Sequence, residues 1–117
     1  MDEAEFRKRT KQRALRIVHL VESLPRSQGA DVLGRQLLRS GTSIGGNYRA
    51  ACRGKSVADV ISTLGCVEEE ADESLYWMEL LTEGGHVKAA QLADLMEETE
   101  EILSMTVASI KTLRRKL

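Results

Sequence analysis

An all-α fold, an antiparallel up-down-up-down four-helix bundle, is predicted by three features of the sequence. Alanine, leucine, glutamate, lysine and arginine are abundant, with a single proline and aromatic residues at 3%, a composition that favours helix nearly everywhere. Apolar residues recur at three- and four-residue steps through four long stretches. Short connections separate these stretches, so sequential helices must be antiparallel neighbours. The chain forms a single domain, 1–117, long enough to bury a core without staples or metal.

The first helix is expected from about Glu3 to Leu24, where Pro25 stops it. Phe6, Ala14, Ile17, Val18, Val21 and Leu24 form its apolar face, flanked by Arg9, Arg13 and Arg16 on one side and by Arg7, Lys8 and Lys11 on the other. The loop SLPRSQG leads into a second helix that ends at Gly54, a favourable residue for a C-terminal cap. Ala30, Leu33, Leu37, Gly41, Ile44, Tyr48 and Ala51 make its core stripe. Opposite them, Arg35, Arg39, Thr42, Gly46, Arg49 and Arg53 form a cationic stripe ~27 Å long at 1.5 Å rise per residue. Glycine inside a helix costs roughly 1 kcal/mol relative to alanine. Close helix packing accounts for Gly41 and Gly45, whereas Gly46, on the arginine side, is expected to touch a partner subunit or a ligand.

Ser56 and Asp59 resemble a capping box that starts the third helix, which closes at Gly84-Gly85. Its stripe is Val60, Ile61, Leu64, Val67, Ala71, Leu75 and Met78. Glu68 falls within that arc and needs a partner, which Asn47 with Ser40 or Ser43 on the second helix can supply as a buried polar cluster. Cys66, Trp77 and Leu80 lie off the stripe as a second apolar patch, the mark of an interface. The fourth helix is expected from about Val87 to Arg115, with Leu92, Leu95, Met96, Ile102, Leu103, Thr106, Ile110 and Leu113 at helical spacing.

Charge is strongly segregated along the chain. Residues 1–56 carry 12 Lys/Arg against 5 Asp/Glu, residues 57–101 carry 1 against 13, and residues 102–117 carry 4 against none. Such asymmetry steers partners or pairs subunits. In the up-down arrangement Arg7, Lys8, Arg9, Arg49, Arg53, Lys55, Arg114, Arg115 and Lys116 gather at one end of the bundle.

No enzymatic constellation is present. Arg53-Gly54-Lys55-Ser56 imitates the tail of a phosphate-binding loop, but Arg49 stands where that loop needs glycine and no strand precedes it. Cys52, Cys66, His19 and His86 lack zinc-ligand spacing; a di-metal bundle requires a glutamate and a histidine three residues apart within a helix, and Glu83 and His86 have that step only across the Gly84-Gly85 loop. His86 reads as a solvated turn residue. No cofactor or metal is expected, the apolar runs are too short to span a membrane, and MDEAEFRKRTKQR lacks the apolar core of a signal peptide. The expected location is the cytoplasm.

The stretches RSGTSIGGNYRAACRGKS and VEEEADESLYWMELL resemble the four-helix-bundle family found in intervening sequences of bacterial 23S ribosomal RNA genes, which includes the accessory protein of diversity-generating retroelements. Arg39, Ser40, Ser43, Ile44 and Asn47 carry the helix-two motif, followed by the polar turn Arg53 to Ser56 and an acidic helix ending in Tyr76, Trp77, Glu79, Leu80 and Leu81. The resemblance implies a homopentamer in which a basic surface contacts nucleic acid or, in the retroelement branch, a reverse transcriptase. Members often carry a glutamate at the position of Ala50, so any contact made by that carboxylate is missing here.

Two functions fit these residues. The first is a non-catalytic oligomer that binds RNA or DNA phosphates through Arg35, Arg39, Arg49, Arg53, Lys55, Arg114 and Arg115. The second is an interaction or scaffold module in which Arg35, Arg39, Arg49 and Arg53 pair with Glu69, Glu70 and Glu73 of an adjacent subunit.

Overall fold

The computed structural model describes residues 2–117 and contains four helices: α1 (Glu3–Glu22), α2 (Gln28–Ala51), α3 (Val57–Glu83) and α4 (Ala89–Arg114). Each start has a local cause. Asp2, Ser27 and Ser56 accept hydrogen bonds from the backbone N–H groups of Glu5, Ala30 and Asp59 through their side chains, while the Gln91 side chain accepts from Lys88 N. The capping pair Ser56/Asp59 is therefore where the sequence places it.

The helix ends depart slightly from expectation. α1 stops at Glu22 because Ser23 turns back onto the Leu20 carbonyl at 2.7 Å and the residue before Pro25 is steered away from helix. α2 stops at Ala51, and Gly54 serves the following turn through its small size: a Cβ there would lie 2.5 Å from Val60 Cγ2. Gly85, with φ +79, supplies the left-handed residue after α3.

The helices form an up-down bundle of 47 × 20 × 20 Å, with the most extensive packing between α2 and α3 and the least between α1 and α4. Among the described residues no helix is long and apolar enough to cross a membrane. The core has two halves. Phe6, Ile44, Ala51, Leu64, Val67, Ala71, Ile102 and Ile110 fill one; Ile17, Leu37, Met78, Leu81, Leu92 and Leu95 fill the other. Between them Thr10, Arg13, Ser40, Ser74 and Thr99, all buried, form a polar layer across all four helices.

The apolar face of α1 therefore differs from the predicted one. Phe6, Thr10, Arg13 and Ile17 are its buried positions, whereas Ala14, Val18 and Val21 are only half-buried. Glycine lets α1 lie low against α2: a Cβ at Gly41 would collide with Ile17 Cδ1, and one at Gly45 would sit 3.3 Å from Thr10 Oγ1. Gly41→Val should accordingly lower the unfolding free energy by about 1–3 kcal/mol through overpacking. An unchanged urea midpoint would show that Ile17 repacks freely.

Candidate functional site

The register set by Gly41 and Gly45 brings two basic segments together. α1 contributes Arg7, Lys8 and Lys11, with Thr10 and Ala14 between them; α2 contributes Arg49 over a floor of Thr42, Gly45 and Gly46. They enclose an open groove of about 420 Å³ with no carboxylate in its lining. Arg7, Lys8, Lys11 and Arg49 form no ion pair among the described residues. The groove hydroxyls point back to the helices, with Thr10 donating to the Arg7 carbonyl at 3.0 Å and Thr42 to the Leu38 carbonyl at 2.7 Å. Cations are thus the groove's free donors.

The predicted arginine stripe on α2 does not act as one unit. Arg39 is held by Glu70, at 3.4 Å, and by Glu73, both on α3 of its own chain. Glu73 also accepts from Trp77 Nε1 at 3.2 Å, so one carboxylate anchors an arginine and an indole. Burial, partly countered by Arg39, holds the Glu70 carboxyl above its usual range. Arg35 and Arg53 remain exposed on either side of this clasp, and only Arg49 joins the groove.

The chain ends meet as expected: the Phe6 and Tyr48 rings lie 4.4 Å apart, and Val60 and Leu113 pack on the same core half. Lys55, Arg114 and Arg115 are exposed at this end. Arg9 does not add to its positive field, because it pairs with Glu98 at 2.9 Å and Glu101 at 3.0 Å on α4.

The expected cluster around Glu68 is not formed. Ser43 donates to its own helix at the Arg39 carbonyl, and Ser40 meets Ser74 instead, with the two hydroxyls 3.0 Å apart. Ser74 also lies 2.8 Å from the Glu70 carbonyl, so the pair's protons have acceptors. No hydrogen bond joins Glu68 to Asn47, Ser40 or Ser43 among the described residues; half-buried at the helix edge, Glu68 reaches water and needs no such partner.

Of the expected interface residues, Cys66 is an exposed free thiol, and Gly46 is open, with nothing within 4 Å of a Cβ built on it. Trp77 and Leu80 are half-buried, and Trp77 packs on the second core half beside Tyr76, which is 53% exposed. His86 lies in the turn after α3, as expected, but is half-buried: its ring packs near Gly84 and Gly29, where added Cβ atoms would meet it at 3.3 and 3.2 Å. Among the described residues no group of three or more His, Cys, Asp or Glu is placed to hold a metal ion.

The sequence places Arg7, Lys8 and Lys11 on one side of α1 and gathers Arg7 and Lys8 with Arg49 at one end of the bundle, but it does not show that Lys11 joins them or that the four line a groove. The available signal was the coincidence of that basic side with Gly45-Gly46 on the next helix.

The family model described as 23S rRNA-intervening sequence protein matches residues 2–108. A crystal structure of a protein of unknown function from the S23 ribosomal protein family of Bacteroides thetaiotaomicron superimposes with a TM-score of 0.87 at 35% identity, covering 95% of this chain and 99% of that one. Among curated proteins the chain has no match.

Proposed function

The chain belongs to the 23S rRNA-intervening sequence protein family, and on that premise we propose that it is a non-catalytic, homo-oligomeric nucleic-acid-binding protein of the cytoplasm. Five subunits is the number the family resemblance implies. The observation that carries the reading is the set of four cations, Arg7, Lys8, Lys11 and Arg49, that face one groove without a carboxylate to neutralise them. Cations left unpaired in a chain with 18 acidic residues form a surface suited to an external polyanion. With no aromatic ring in the groove, contacts fall on phosphates, and recognition is tolerant of base sequence.

The scaffold alternative asks Arg35, Arg39, Arg49 and Arg53 to reach Glu69, Glu70 and Glu73 of a neighbour. Glu70 and Glu73 already hold Arg39 within the chain, which weighs against it.

The test is fluorescence anisotropy of a labelled RNA hairpin and of duplex DNA, on protein whose native mass is measured in the same buffer. Four neutralised phosphates per subunit correspond to a loss of about 100-fold in affinity between about 50 and 200 mM salt. A folded oligomer that binds neither probe at low salt would overturn the proposal.

A further inference from the structure

Gly46 has no use within the fold. Gly41 and Gly45 are explained by Ile17 and Thr10, but a Cβ at Gly46 would meet nothing within 4 Å. Alanine at this exposed helical position would be more stable by about 1 kcal/mol, so the missing side chain calls for an approach from outside. What surrounds the open position is cationic: Lys8 and Lys11 across the groove, Arg49 on the same helix. Lys8 and Lys11 stand about one helical turn apart, so their charges lie in a row along the groove rather than at one point.

We infer that this groove seats the phosphodiester backbone of a nucleic-acid strand, and that Gly46 is the positioning residue that lets the strand sink between Lys8, Lys11 and Arg49. The inference rests on the proposed nucleic-acid binding and deepens it by assigning the seat. A row of ammonium groups with one guanidinium suits a chain of singly charged phosphates, because lysine acts as a point charge and arginine can grip two oxygens of one group. A side chain at position 46 would lift the strand off the floor and lengthen every one of these contacts.

The experiment uses the full chain and its Gly46→Ala and Gly46→Leu variants, with anisotropy of a labelled RNA hairpin, native mass and thermal unfolding recorded for each. Expected are unchanged mass, a melting temperature equal to or above that of the parent, a several-fold loss of affinity for Gly46→Ala and at least about tenfold for Gly46→Leu. Loss of binding in a protein of undiminished stability separates an outside contact from a structural role. If the parent binds RNA and Gly46→Leu binds equally well, the seat is elsewhere and only this inference fails. If the parent binds neither RNA nor duplex DNA, the functional reading fails with it. Loss of native mass in Gly46→Leu would assign the residue to a subunit contact and overturn the inference. So would displacement of the RNA by inorganic phosphate beyond the effect of chloride at equal ionic strength, which would mark the groove as a small-anion site.

Discussion

Thr99→Val should lower the unfolding free energy by about 3 kcal/mol or more, whereas Arg13→Met should leave it unchanged or raise it. Arg13 lies in the polar layer with 1% exposure and no carboxylate in contact. Its Nε and Nη2 donate to Thr99 Oγ1 at 2.8 and 2.5 Å, and Nη1 lies 3.5 Å from the Gly41 carbonyl. The Thr99 hydroxyl donates its own proton to the Leu95 carbonyl at 2.7 Å, which leaves its lone pairs for the guanidinium. Burial pushes Arg13 down to about 10, only partly offset by the nearby charge of Glu98, so the group stays ionised at neutral pH. Valine preserves the shape of threonine but removes the principal acceptor of a buried charge. Methionine instead removes the charge and keeps an unbranched apolar stem. The double variant should resemble Arg13→Met alone, since the acceptor has no further role once the cation is gone. Chemical denaturation of the four proteins reads this directly. A neutral Thr99→Val would mean that Arg13 swings out through the loosely packed α1/α4 side and reaches water.

The same residues show where the sequence was legible and where it was not. Helix positions followed from local chemistry: Pro25, the Ser56/Asp59 pair and Gly84-Gly85 act within a few residues of themselves, whereas the cap that starts α2, Ser27, emerged only from the structure. The core halves were legible at the buried apolar residues except Leu81, which lies one turn beyond the stripe that ended at Met78. The layer between them was not, because Thr10, Arg13, Ser40, Ser74 and Thr99 have types that ordinarily mark a helix edge. Phe6, Thr10, Arg13 and Ile17 do keep the four-three-four spacing of a buried face, and that spacing outranks polarity here. Pairing was the other limit. Arg39 could meet Glu70 and Glu73 within the chain or across subunits with the same charges, and helix rotation about α2 and α3 decides between them. The groove likewise needs the α1/α2 register, which depends on how closely Ile17 and Thr10 approach Gly41 and Gly45.

Reversing the groove charges is the strongest test of where binding occurs, and the structure changes which residues that test must use. Reversal at Arg39 would set three carboxylates together with Glu70 and Glu73 and damage the bundle, so lost binding there would be ambiguous. Lys8, Lys11 and Arg49 have no ion pairs among the described residues to lose. Lys8→Glu falls near the start of α1, where the helix dipole favours an acid, and Arg49→Glu near the end of α2, where it mildly disfavours one. The triple variant Lys8→Glu, Lys11→Glu, Arg49→Glu should therefore fold, yet lose RNA affinity by at least about 100-fold and flatten the salt dependence by the phosphates no longer held. Reversal at Arg35, Arg53 and Lys55 changes net charge equally at positions outside the groove lining. At 0.15 M salt, screening over ~8 Å should limit that second variant to a loss of less than about tenfold. Equal losses in the two variants would mean that net charge alone governs binding, and the groove would have no special place in it. A larger loss on reversing Arg114 and Arg115 would move the binding surface to the end of the bundle, where those residues stand exposed beside Lys55.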